Sequence, residues 1–103
     1  KGDVCFVRQV FQHLSNESIM NTISEIKKKY KYLIITEHLP ESKNFVANID
    51  KPTGPDTRLH ENSGIILTLP PFNLKVFKDN DICEIYSDSI EGVLRTKILQ
   101  LYK

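Results

Sequence analysis

Apolar and polar positions divide the first third of the chain into two strands and a helix. Val4 to Val10 is an apolar run enriched in β-branched and aromatic residues, which predicts a buried strand. Phe11 to Leu14 is predicted to form a short turn, and Ser15 is a candidate N-cap. Tyr32 to Thr36 is almost continuously apolar and predicts a second buried strand. Apolar residues recur at helical spacing between the turn and this strand: Ile19, Met20, Ile23, Ile26 and Tyr30.

The two strands are predicted to run parallel, with the helix as the crossover between them. Parallel strands need such a connection, because the chain must return to the same end of the sheet before the second strand begins. Ligands in open sheets of this kind bind beyond the carboxyl ends of the strands. The residues that follow each strand, Arg8 to His13 and Thr36 to His38, are therefore the first place to look for function.

The remainder of the chain is predicted to contain a long loop and two further strands. Residues 39 to 72 hold all five prolines, which argues against a regular helix, and we expect a packed loop with one helical turn near Asp56 to His60. Strands are predicted over Ile82 to Tyr86 and over Val93 to Tyr102. The short connection Ser87 to Gly92 favours a hairpin-like antiparallel return between them.

Composition narrows the classes of partner and compartment. The 103 residues are enough for one domain, and a net charge of +1 gives no long-range attraction for nucleic acid or an anionic membrane. No apolar run reaches the length of a membrane helix, and no secretory signal is present, so we expect a cytoplasmic protein without a membrane partner. Cys5 and Cys83 lack C-x-x-C spacing and are expected to be buried free thiols, with a disulfide as the alternative.

Several segments, taken in order, resemble those of a known family. V-R-Q-V-F-Q-H-L-S-N and Y-L-I-I-T-E-H-L-P look like its fourth and fifth strands with the residues that follow them. D-K-P-T-G-P-D-T-R-L and L-P-P-F-N-L resemble one bacterial branch of small-molecule methyltransferases, and G-V-L-R-T-K-I-L-Q-L resembles the last strand. The chain thus resembles the C-terminal half of a class I S-adenosylmethionine-dependent methyltransferase.

The resemblance implies an α/β fold, a partial Rossmann-like methyltransferase sheet. That sheet would be mostly parallel with its last strand antiparallel, and the last strand would lie between the second strand and the penultimate one. Residues 1–103 would form the C-terminal portion of a single domain whose cofactor-binding N-terminal half is absent, since the family's glycine-rich loop has no match. The chain begins with Lys1, so we expect a fragment whose first strand is an exposed sheet edge, and we expect a homodimer or aggregate through that edge.

The implied function is methyl transfer from S-adenosylmethionine to a small-molecule acceptor. The intact protein would perform it, this chain would supply the acceptor-side half, and the separate chain is expected to be inactive. Arg8, Gln9 and Val10 would lie beside the cofactor's reactive methyl group. The cofactor itself is expected to bind only to the intact protein, because the parts of the family that hold most of it are missing.

Four further residues are candidates for the acceptor side of the site. His13 is a candidate base, and packing of the turn is the alternative role for it. Glu37 and His38 follow the second strand and are candidates to face the acceptor, or else to form loop hydrogen bonds. Arg58 is a candidate to pair with an acceptor carboxylate or phosphate, with a local salt bridge as the alternative.

Other classes of function find less support in the sequence. The histidines and cysteines lack the dense spacing of metal ligands, so no metal site is expected. Lys27 to Lys29 close the predicted helix, where cations complement the helix dipole, and a phosphate or nucleic-acid patch is the alternative interpretation. A non-catalytic α/β interaction module is the main alternative function. A nucleotide-binding half-domain would require a phosphate loop, which the sequence does not contain.

Overall fold

The computed structural model describes residues 3–41, 44–86 and 92–101, apart from the side chain of His60. Within these ranges four strands and one α-helix follow one another, with two short 3₁₀ helices between them. In chain order the elements are β1 (Val4–Arg8), a 3₁₀ helix (Phe11–His13), α1 (Asn16–Lys29), β2 (Tyr32–Leu39), a 3₁₀ helix (Leu59–Glu61), β3 (Val76–Ile85) and β4 (Val93–Leu101).

The helix α1 begins and ends as its sequence predicts. Ser15 is the N-cap, and its Oγ accepts a hydrogen bond from the main-chain N–H of Ser18 at 3.2 Å. Three isoleucines at helical spacing are buried in the core: Ile19, Ile23 and Ile26. Met20 is 46% exposed, so it does not widen the buried stripe as predicted. The N-cap and the isoleucine stripe are therefore confirmed.

The four strands form one mixed sheet in the order β1-β2-β4-β3. β1 and β2 are parallel, with Phe6 opposite Ile34, and α1 connects them. β4 is antiparallel to β2 on one side and to β3 on the other. The predicted parallel pair and its helical crossover are confirmed, and β4 lies between β2 and β3.

The predicted fold class, a mostly parallel Rossmann-like methyltransferase sheet, is wrong. Two of the three strand pairings are antiparallel, and the described residues contain a single α-helix beside a small mixed sheet. A parallel strand needs a crossover of a dozen or more residues, usually a helix. The segment between β2 and β3 is rich in proline, which lacks the N–H that a helix requires, and within its described residues it forms only one 3₁₀ turn.

The core lies between one face of the sheet and a second layer formed by α1 and the segment 65–74. Sheet residues that point into this layer include Leu33, Ile35 and Leu99, and the loop contributes Ile65 and Leu67. We call this side of the sheet the inner face. The long proline-rich loop is therefore part of the core, as its apolar residues predict, because burying them offsets the entropy of ordering the loop.

Strand limits differ from the predicted ones by several residues. β2 continues to Leu39, and β3 begins at Val76 instead of Ile82 because it pairs with β4 along most of its length. Residues 87–91 of the predicted hairpin connection, and Tyr102, lie outside the described residues.

The two cysteines are free thiols, but neither is fully buried. Cys5 is partly buried and Cys83 is exposed, so the prediction of two buried thiols is wrong in its burial. Cys83 lies on β3, whose residues are almost all exposed at the edge of the sheet. In the part of the chain that the structure describes, no helix is long and apolar enough to cross a membrane.

Candidate functional site

The carboxyl ends of β1 and β2 are joined through the side chain and backbone of Gln12. The main-chain N–H of Gln12 donates to Oε1 of Glu37 at 3.1 Å. The Oε1 atom of Gln12 accepts in turn from the main-chain N–H of His38 at 3.1 Å. The 3₁₀ turn after β1 is therefore fastened to the end of β2, which brings together the two segments that the sequence singled out.

Glu37 is a buried carboxyl group with an altered proton affinity. It is 4% exposed, and its Oε2 has no hydrogen-bond partner among the described residues. Burial raises the pKa of Glu37 to about 8, although the N–H groups of Gln12 and Phe11 and the charge of Arg58 act in the opposite direction. The side chain is therefore mostly protonated at neutral pH and is able to release or take up a proton near it.

A narrow cleft with a volume of about 30 Å³, close to that of a single water molecule, lies beside Glu37 on the inner face. Its walls are mostly aliphatic, with Leu39 and Ile65 among them, and Arg95 lines it from the neighbouring strand. Glu37 and Arg95 stand directly opposite each other in the β2–β4 register, yet no ion pair between them is found in the described structure. The cleft thus combines aliphatic side chains with the carboxyl group of Glu37, the guanidinium of Arg95 and the ion pair of Lys97 with Asp79.

The side chain of Arg58 joins the proline-rich loop to the turn after β1 through hydrogen bonds. Its Nε donates to the carbonyl oxygen of Ile49, and its two terminal nitrogens donate to four acceptors near the start of α1. Those acceptors are the carbonyl oxygens of Phe11, Gln12 and Leu14 and the Oδ1 of Asn16. A guanidinium has five N–H donors, so all of them are used. The substrate-binding role of Arg58 stays a prediction, and it would require one of these bonds to break.

The two histidines lie in different surroundings. A ring nitrogen of His13 is 3.4 Å from the carbonyl oxygen of Asp56, and its own carbonyl oxygen accepts from Gly54 and Lys51. His38 follows Glu37 in β2, so its side chain points to the opposite face of the sheet. The structure therefore separates His38 from Glu37, although the sequence places them side by side.

The three predicted cofactor residues lie at the exposed end of β1. Arg8 and Val10 are exposed, and Gln9 has a left-handed backbone with φ of 55°. None of the three lines the cavities beside Glu37, beside α1 or beside Lys51. A ligand as large as S-adenosylmethionine requires a concave site that buries most of its surface. Arg8, Gln9 and Val10 are therefore not part of such a concave site among the described residues.

Two residues with structural roles were not singled out by the sequence. Gln12 lies in the segment Arg8 to His13 that the sequence indicated, but no role was predicted for it, and Asn48 was predicted only as part of a loop. Asn48 is buried with φ of 62°, and its Nδ2 donates to the carbonyl oxygens of Ile66 and Pro70 at 2.9 and 2.8 Å. Its Oδ1 accepts from the N–H of Ile66 at 2.8 Å. An asparagine in a loop is a recognised candidate for this backbone conformation, but its partners lie far along the chain.

Comparison of this chain with family models, with curated proteins and with solved structures found no match. Within the described ranges, no group of three or more His, Cys, Asp or Glu side chains is placed to hold a metal ion.

Proposed function

We propose that this chain supplies the acceptor-side part of a protein that transfers a methyl group from S-adenosylmethionine to a small molecule. The reaction type rests on the order of the sequence motifs, and it does not depend on a Rossmann-like sheet. Binding of the cofactor is assigned to the intact protein, because the family's glycine-rich loop has no match in the sequence.

The observation that carries the proposal is the buried carboxyl group of Glu37 at the end of β2. Its Oε1 is fixed by the N–H of Gln12, while its Oε2 faces no protein partner in the described structure. A general base works best when its pKa lies near the working pH, and the pKa of Glu37 is about 8. The ionised form of Glu37 is thus suited to accept the proton of an acceptor O–H or N–H group that reaches its Oε2.

The test uses the intact protein that contains this chain. Isothermal titration calorimetry is expected to show saturable binding of S-adenosylmethionine to the intact protein. The absence of any binding heat would contradict the proposal. Glu37→Gln is expected to lower the rate of methyl transfer by about 100-fold or more, the usual contribution of a general base, while the affinity for S-adenosylmethionine stays unchanged. Glu17→Gln, on an exposed position of α1, is the matched control and should retain full activity.

A second candidate function, a non-catalytic module that pairs through a sheet edge, is favoured by the exposed strand β1. Asp3 and Gln9 make main-chain hydrogen bonds to β2, so the two-residue alternation turns the amides of Val4, Phe6 and Arg8 away from the sheet. An apolar edge of this kind without proline or lysine is open to pairing with another strand. The partner strand proposed for this function is β1 of a second copy.

Two substitutions at one position test this second candidate. Phe6→Pro and Phe6→Ser both remove the aromatic ring, but only proline also removes the outward N–H. If the chain dimerises through its edge, light scattering should show a dimer for Phe6→Ser and a monomer for Phe6→Pro. A wild-type chain that is monomeric at high concentration would exclude the edge dimer.

A further inference from the structure

The face of the sheet opposite the core carries a row of apolar side chains. We call it the outer face. The register places Phe6, Ile34 and Ile98 directly across from one another on β1, β2 and β4, and paired residues share a face. On the same face, Val4 and Tyr32 continue the row on one side, and the row on the other side is polar, with Arg8 beside the hydrogen-bonded Thr36 and Thr96. Three strands of the sheet therefore present a continuous apolar stripe on the side away from α1.

No described residue covers the end of this stripe that lies on β1. Phe6 is 73% exposed and Val4 is 39% exposed, whereas Leu33 and Ile35 on the inner face are buried by α1 and the loop. Antiparallel sheets often leave one face to water, but that face then carries polar residues. Parallel strands with apolar residues on both faces are typical of sheets that are covered on both sides.

The formally charged side chains that the described strands place on the outer face are all cationic. Arg8 lies at the β1 corner, and Lys78 lies at the β3 corner, opposite Gln100. The acidic residues of β3 share the inner side instead, since Asp79 pairs with Leu99 and Glu84 pairs with Arg95. Among the described strand residues, the outer face therefore has cationic corners and no carboxylate. His38 lies on the same face, opposite Leu94 in the strand register. It is the other side chain of this face with a basic nitrogen.

We propose that the outer face binds an amphipathic α-helix of a partner segment. The apolar side of that helix would lie on Phe6, Ile34 and Ile98, and acidic residues on its flanks would face Arg8 and Lys78. The stripe crosses two strand spacings, about 10 Å, which equals the width of one helix with its side chains. A second copy of the chain is disfavoured, because it would bring more cations and no carboxylate to the interface.

This proposal does not depend on the proposed methyl transfer. It is tested by measuring the binding of synthetic peptides to the chain. The probe is an 18-residue amphipathic helical peptide with leucines at i, i+3, i+4 and i+7 and glutamates on both flanks. Its control has lysine in place of each glutamate. Fluorescence anisotropy with the 103-residue chain is expected to show at least tenfold tighter binding of the acidic peptide. Chemical-shift changes on binding are expected at the amides of Phe6, Ile34 and Ile98.

Two substitutions test whether the acidic peptide binds to the outer face. Phe6→Ser should weaken binding of the acidic peptide by about tenfold or more, and its exposed position keeps the fold intact. Val46→Ser removes an apolar side chain that is 63% exposed in the loop, and it should leave binding unchanged. The proposal is overturned if neither peptide binds, if both bind equally, or if Phe6→Ser binds like the wild type. It is also overturned if the outer face proves to be occupied by a second copy.

Discussion

Arg58 donates from Nη2 to the Oδ1 of Asn16 at 2.9 Å, although the two residues are 42 positions apart. Asn16 is the first residue of α1, and its own Nδ2 donates to the carbonyl oxygen of Asn48 at 2.9 Å. The start of the helix is therefore held by the proline-rich loop from two directions. Arg58 also donates from Nη1 to the carbonyl oxygens of Phe11 and Gln12, so it fixes the turn whose N–H group binds Glu37.

Arg58→Lys is expected to destabilise the fold strongly. A lysine cannot reproduce five N–H donors in a planar arrangement, so buried carbonyl oxygens lose their partners. We expect the free energy of unfolding to fall by about 3 kcal/mol, measured by urea denaturation. Arg8→Lys, on the exposed end of β1, is the control and should change it by less than about 0.5 kcal/mol. An equal effect of the two substitutions would contradict the role of the Arg58 hydrogen bonds in joining the loop to the turn.

Glu37 makes the stability of the fold depend on pH. Its pKa is raised from 4.5 to about 8 by burial, so between these values the folded chain keeps a proton that the unfolded chain has released. The contribution is fully present below pH 4.5, and the free energy of unfolding is expected to fall by about 1.4 kcal/mol per pH unit as the pH rises towards 8.

Glu37→Gln should remove this component, because glutamine keeps an acceptor for Gln12 and does not ionise. The measurement is urea denaturation of both chains at several values between pH 5 and about 8. The difference in unfolding free energy between variant and wild type should grow with pH. Parallel curves would show that the carboxyl group is not buried in a protonated form.

Asn48 is expected to hold the segment 65–74 against the sheet. Asn48→Gly retains the left-handed backbone but loses the side-chain bonds to Ile66 and Pro70, and it should cost about 2 kcal/mol. Asn48→Ala should cost about 1 kcal/mol more, because alanine is disfavoured in that conformation. Hydrogen exchange should accelerate first in residues 65–74. Uniform acceleration across the sheet would indicate a different role.

Gly92 is expected to be the least replaceable glycine among those described. It has φ of 78°, and a Cβ atom there would meet the carbonyl oxygen of Leu39. Gly92→Ala should therefore reduce the free energy of unfolding by about 2 kcal/mol or more. Gly54→Ala is the matched control, since nothing lies within 4 Å of its added Cβ, and it should be neutral or slightly stabilising. Thermal denaturation of both variants distinguishes the two positions.

Local chemistry made the helix and the parallel pair predictable. Ser15 has a hydroxyl group in reach of the first turn, and Ile19, Ile23 and Ile26 repeat at helical spacing, so both features are readable over a few residues. The length of β3 was not readable in this way. Its residues before Ile82 are mostly polar, and they are in a strand because β4 offers them hydrogen-bond partners.

The candidate site was predictable in its position but not in its geometry. The sequence placed Glu37 and His38 after a strand, yet the alternation of β2 sends them to opposite faces. The N–H donors of Arg58 find acceptors up to 47 positions away along the chain, and no local sequence pattern predicts these hydrogen bonds. Gln12 and Asn48 were overlooked for the same reason.

By itself the sequence determined the helix and the positions of the first two strands, because caps and apolar periodicity act on the backbone within one or two turns. It determined that β1 and β2 are parallel, since a helix of this length returns the chain to the same end of the sheet. Only the tertiary structure decided that the sheet is mixed and that the loop becomes part of the core. It also gave the carboxyl of Glu37 an apolar setting, because pairing and burial depend on residues that are distant along the chain.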